Sequence, residues 1–143
     1  MTYTAKKLLT MTDAELSDLF SRSEPGPIPN GQAQGTAIVA PGTPFTQDIA
    51  QVINIFAWQG KVFNTEKMAL VNKISVFGLE AILAHISREP SWIDGKECIV
   101  LDYSKTSVVA HWVRDEMRLI SPGFYLGRVF WKDDPIIYFS LEF

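Results

Sequence analysis

The chain is predicted to fold as a mainly β protein, an antiparallel up-and-down barrel with two helices in its N-terminal sixty residues. Three observations predict it. The last forty residues contain three apolar, aromatic-rich runs, KTSVVAHWVRDEMRLI, FYLGRVFW and IIYFSLEF, separated only by SPG and KDDP, the spacing of antiparallel strands joined by tight turns. The preceding runs are mostly consecutive as well, giving seven or eight strands in total. The chain also stops at Phe143 inside an apolar strand pattern. An open edge carrying Ile137, Phe139 and Leu141 would be an aggregation hazard, so closure is expected.

Taken in order, Thr12-Asp-Ala-Glu15 fits a capping box that starts a helix over about 13–22, with Leu16, Leu19 and Phe20 as its apolar stripe. This helix is expected to cover part of the domain, one end of the barrel being the natural place. SEPGPIPNG then forms an extended connector, because its prolines and glycines do not continue a helix. Gln32 to Ala40 is the expected first strand. With Thr46 or Asp48 as cap, Ile49, Val52, Ile53 and Phe56 mark a second helix ending near Gly60. Met68 to Phe77 alternates as a strand. Residues 79–87 match either a helix or a strand, and the Asp94-Gly95 hairpin signal with the β run Cys98–Tyr103 beyond it favours a strand. The 143 residues are read as one domain, with 1–31 a helix and connector and 32–143 a barrel with one inserted helix.

A formal charge of −3 with no basic run gives nothing to attract nucleic acid. The single cysteine, Cys98, has no internal disulfide partner and reads as a small buried apolar residue. Acidic residues interrupt the N-terminus before a signal-peptide core develops, and no stretch reaches the ~20 apolar residues of a membrane span. A cytoplasmic protein without integral membrane contact is therefore expected. The sequence lacks P-loop, dinucleotide, G-x-S-x-G and H-E-x-x-H patterns, so neither cofactor nor metal is expected.

The run 105–120 carries the candidate chemistry. Val109, His111, Val113, Asp115, Met117 and Leu119 share one face, and Trp112, Arg114, Glu116 and Arg118 the other. His111 and Asp115 stand about 13 Å apart at the backbone, too far for a direct bond. Each would need a partner such as Tyr103 or Arg128, or solvent at the barrel mouth, unless it meets a ligand or serves as acid or base. Arg114, Glu116 and Arg118 are expected as exposed ion pairs of little worth. A bulge after Val113 would reverse these faces and turn Arg118 inward as a ligand anchor. His85 is expected as an ordinary core or surface histidine.

The meander, the order of elements and Trp58-Gln-Gly-Lys resemble the calycin architecture of lipocalins and fatty-acid-binding proteins over residues 32–143. Lipocalins place G-x-W near the first strand, whereas here Trp58-Gln-Gly60 follows a helix. SWIDGK, LDY, RDEMR and SPGFYLGR also resemble segments of small uncharacterised bacterial proteins. The calycin resemblance implies a barrel enclosing one hydrophobic or amphipathic, fatty-acid-like ligand. In fatty-acid-binding proteins an arginine and tyrosine grip the carboxylate, and Arg118, Tyr125, Arg128 and Tyr138 are the candidates by residue type. The full expected ligand set is Tyr103, His111, Asp115, Arg118, Tyr125 and Arg128. Two alternatives stand beside ligand binding. One is an isomerase or cyclase on the same scaffold, as in the calycin-like allene oxide cyclase. The other is a structural homodimer joined through the aromatic C-terminus.

Overall fold

The computed structural model describes residues 3–44, 46–58, 62–73, 80–105 and 111–143. Nine antiparallel strands form one nearly closed sheet: β1 (Gly31–Gln32), β2 (Gln34–Ile38), β3 (Val62–Asn64), β4 (Ala69–Lys73), β5 (Glu80–Pro90), β6 (Glu97–Asp102), β7 (Val113–Ser121), β8 (Phe124–Trp131) and β9 (Asp134–Glu142). The spatial order is β1-β3-β4-β5-β6-β7-β8-β9-β2, so the two strands at the ends of the sheet are separated in sequence by Ala33 alone. One extended segment thus pairs with β3 through its first two residues and with β9 through the next five, drawing the two edges together. The expected closure by the C-terminal strand is what the structure has, since β9 is paired on both sides.

Turn chemistry sets the register of the meander. Pro122 and Gly123 join β7 to β8, with Gly123 at φ 68°, and Lys132 and Asp133 join β8 to β9 at φ 49° and 74°. The two positive-φ central residues Lys132 and Asp133 fit the mirror-image turn that matches the right-handed twist of the flanking strands. The β5–β6 connection is longer than the two residues expected at Asp94-Gly95. It runs from Ser91 to Lys96 and is closed by the Ser91 N–H donating to the Lys96 carbonyl at 2.8 Å. Residues 80–90 are strand, as the hairpin argument favoured. The segment 59–61, residues 74–77 of the expected strand, Leu79 and Val109 lie outside the described residues.

Three helices are present among the described residues, one more than expected: α1 (Ala5–Leu8), α2 (Asp13–Ser21) and α3 (Gln47–Trp58). The Thr12–Glu15 capping box forms with both of its hydrogen bonds, and the Thr46 hydroxyl accepts from the Ile49 N–H at 3.2 Å to start α3. The missed α1 is a single turn capped by Thr4, with Leu8 fully buried. Ile49 and Val52 of α3 belong to the interior cluster with Phe63, Leu101, Met117 and Phe139. This helix closes the barrel end at which β2 stops and β3 begins. The proline connector closes the other end: Tyr125 Oη donates to the Pro27 carbonyl at 2.6 Å, and Ile28 packs on the interior cluster. Gly26 is required there, because at φ 71° a Cβ would lie 2.6 Å from Leu119 Cβ.

The position of α2 departs from expectation. It lies on the outer wall of the barrel, where Leu8, Leu16, Leu19 and Phe20 pack with Cys98, Val100, Leu126 and Tyr138 in a second cluster. Outward-facing residues of β7 are therefore covered. Arg118 and Glu116 are each 0% exposed, not the solvated ion pairs that alternation alone suggested. Arg118 commits all five donors: Nε to the Glu97 carbonyl, Nη1 to the Phe20 carbonyl and Asp94 Oδ2, and Nη2 to Asp94 Oδ1 and the Lys96 carbonyl, at 2.7–3.1 Å. Its guanidinium also stacks 4.4 Å from the Phe20 ring centroid. One side chain thus joins β7, the end of α2 and the β5–β6 loop. No bulge follows Val113, so the register that would turn Arg118 inward does not form.

Removing one partner of a buried, hydrogen-bonded ion pair costs roughly 3–5 kcal/mol. Arg118→Met should accordingly lower the melting temperature by about 10 °C or more. A variant melting within two or three degrees of the parent by circular dichroism, ~1 kcal/mol or less, would show that the hub is dispensable.

Candidate functional site

The unbroken pleat of β7 sends Val113, Asp115 and Met117 into the barrel and Arg114, Glu116 and Arg118 outward. Asp115 lies between Leu101 of β6 and Val129 of β8, both apolar and both interior. Just past the end of β6, Tyr103 reaches diagonally and donates its hydroxyl to Asp115 Oδ2 at 2.9 Å. The carboxyl is 4% exposed, and its second oxygen, Oδ1, is buried without a hydrogen-bond partner. Burial pushes the Asp115 carboxyl up to about 7, and the Tyr103 hydrogen bond opposes that shift only in part. Asp115 is the one charged side chain among the described buried residues that faces the interior.

Tyr125 also faces inward, but four residues along β8 from Val129, the partner of Asp115, which is roughly 13 Å away. Its hydroxyl is held by the Pro27 carbonyl, and burial raises its pKa. Tyr103 and Asp115 are therefore brought together while Tyr125 belongs to the opposite end. Arg118 and Arg128 are on the outer wall. Arg128 bonds the Tyr138 hydroxyl and stands 3.8 Å from Asp13 at the start of α2, so the arginine–tyrosine pair suggested by residue type fastens a helix. Burial pushes the Tyr138 hydroxyl to about 12, keeping it a neutral donor there.

His111 precedes β7 in a turn and does not share the strand face of Asp115. It lines a cleft of about 400 Å³ on the outer rim together with Trp92, Asp102, Trp112, Arg114 and Lys132. Trp92 and Trp112 are each 51% exposed, Arg114 stacks 4.1 Å from the Trp92 ring, and Lys132 Nζ lies 5.3 Å from the Trp112 ring. His85 is exposed on the outer wall beside Asp102. Cys98 is buried under the helical layer, where burial pushes its thiol up to about 12, so it is not a ready nucleophile.

Glu116 is a further polar centre that alternation did not single out. It accepts from Ser91 Oγ at 2.6 Å, from the Trp92 N–H at 2.8 Å and from Arg114 Nε and Nη2 at 3.1 and 2.9 Å. These bonds fold the β5–β6 loop onto the outer wall and set Trp92 at the edge of the cleft. Among the described residues no group of three or more histidine, cysteine or acidic side chains is placed to hold a metal ion. None of their helices is long and apolar enough to cross a membrane.

No family model matches the chain, and no curated protein matches it. Among solved structures it is similar to a crystal structure of a protein from Thermomonospora curvata, with 19% identity over 93% of this chain and 88% of that one, at a TM-score of 0.58. At that identity the similarity extends to the barrel fold alone.

Proposed function

We propose that the protein binds a small hydrophobic or amphipathic molecule inside the barrel, with Asp115 as its polar contact. The observation that carries this reading is the orphaned Oδ1 of Asp115 in an otherwise apolar interior. A buried acceptor without a partner costs about 1–3 kcal/mol, and an apolar side chain of similar size would avoid that cost. An unsatisfied buried polar atom calls for an explanation, and the other one among the described residues, Arg128 Nε, lies on the outer wall rather than in the interior. Tyr103 contributes by fixing the carboxyl through Oδ2, which leaves Oδ1 for a ligand. The interior cluster is rich in aromatic side chains, among them Tyr103, Tyr125, Trp131, Phe63 and Phe139.

One observation favours a second reading, an isomerase or cyclase acting on such a ligand. A carboxyl held near pH 7 suits general acid–base work, because it both releases and accepts a proton at neutral pH. The dimer reading gains no such support, since the side chains of β9 from Ile137 to Leu141 are already buried within the chain, inward by the barrel and outward by the helices.

Two measurements test the binding reading. Native mass spectrometry of the full chain should show a bound small molecule, or uptake of one molecule of decanol, a neutral apolar probe. Bare chain under both conditions would exclude an interior site for neutral apolar molecules.

The second measurement is the pH dependence of stability. The folded pKa of Asp115 lies above its unfolded value, so its contribution is fully present below the unfolded value, near 4, and is lost as pH rises through about 7. Asp115→Asn should therefore gain stability over the parent by a few kcal/mol between pH 5 and pH 8, roughly 3–10 °C in melting temperature. A difference independent of pH would mean that the carboxyl is ordinarily solvated.

A further inference from the structure

We propose that the polar end of the bound molecule is a protonated amine, so that the barrel selects hydrophobic organic cations; this rests on the reading of the interior as a ligand site. The charge distribution around Asp115 carries the inference. The three arginines of β7 and β8 point outward, and Arg118 on the outer wall is the one buried basic side chain among the described residues. Arg88 of β5 has the inward parity of its partner Ile99. However, it lies at the connector end, where it is exposed and donates to the Gly26 carbonyl at 2.8 Å. Among the described residues, Tyr103 just past β6 and Tyr125 of β8 are the other titratable groups of the interior cluster, and each donates its hydroxyl. Among the described residues the interior thus holds an acid without a base.

Three kinds of polar end could meet Asp115 Oδ1. A carboxylate would place two like charges together in a medium of low dielectric, unless a proton were shared. A hydroxyl would satisfy the acceptor but leave the carboxylate charge unpaired. An ammonium group does both, through a charge-assisted N–H···O bond of the stronger kind. The desolvation of the carboxyl has already been borne in folding, so a cation brings only its own. The interior cluster is also rich in aromatic rings, the side chains whose faces attract cations.

The test is calorimetric titration of the full chain at pH 8 with decylamine, N-decylacetamide, decanol and decanoate, each below its aggregation threshold. Decylamine should bind one per chain and at least about tenfold more tightly than decanol or N-decylacetamide, which keeps the N–H but lacks the charge. Decanoate should be the weakest. In Asp115→Asn the amine and the alcohol should come within about threefold of each other. Decanol or decanoate equalling decylamine would overturn the amine assignment while leaving the interior site in place. The same holds if the amine preference survives in Asp115→Asn, or if several amines bind per chain, as on an acidic surface. If none of the four binds, the interior-site reading itself fails. The N-decylacetamide comparison uses the parent protein, so it decides the matter even if the variant does not fold.

Discussion

The two-residue alternation of β7 runs from Val113 to Met117 without a bulge, and the two layers of the molecule depend on it. Outward, it delivers Arg114, Glu116 and Arg118 to a wall that α2 and the β5–β6 loop then cover. A covered polar row is stabilised when its donors and acceptors are met, and Arg118 shows how this is done: one aspartate takes two bonds and three backbone carbonyls take the rest. Arg128 and Tyr138 hold the start of α2 through Asp13 as Arg118 holds its end through the Phe20 carbonyl. A cation at a helix C-terminus also meets the favourable end of the helix dipole.

Inward, the same pleat places a carboxyl where the rest of the surface is apolar. The two aspartates closest to this argument respond to pH in opposite directions. Asp94 is held below the usual carboxylate range by its hydrogen bonds with Arg118, so its contribution is present above the unfolded pKa and is lost as pH falls through the folded one. Asp115 is raised by burial and loses its contribution as pH rises. The first pattern belongs to a group that stabilises the fold. The second belongs to a group that the fold tolerates, and this contrast separates the structural arginine cluster from the candidate site more clearly than proximity does.

Much of this was legible in the sequence. The meander, both longer helices and the strand at 80–90 follow from turn residues, caps and periodicity, which act locally. Alternation offered an inward Asp115 as one of two registers and Tyr103 as one of two partners for it, and the structure has the unbulged register and the Tyr103 bond. What alternation does not reveal is whether the far side of a strand meets water or another layer. Arg114, Glu116 and Arg118 read as a solvated row because polar residues on a covered wall look the same in sequence as polar residues on an open one. The signal that could have found the cover is Leu16, Leu19 and Phe20, an apolar stripe that must dock on something, together with Val100 and Leu126, apolar residues on the outward faces of β6 and β8. The single turn of α1 is too short to announce itself. The hand-over at Ala33 depends on pairing between residues far apart in the chain.

The central claim is that the Asp115 carboxyl is buried in the barrel with one oxygen left for a ligand. The most direct measurement is the ¹³C resonance of that carboxyl in ligand-free protein, assigned by its loss in Asp115→Asn and followed from about pH 4 to pH 9, across the ordinary and the shifted range. A midpoint at about 7 is the predicted result. A midpoint near the ordinary aspartate value, about 4, would contradict it, because a carboxyl that ionises there is solvated or already paired.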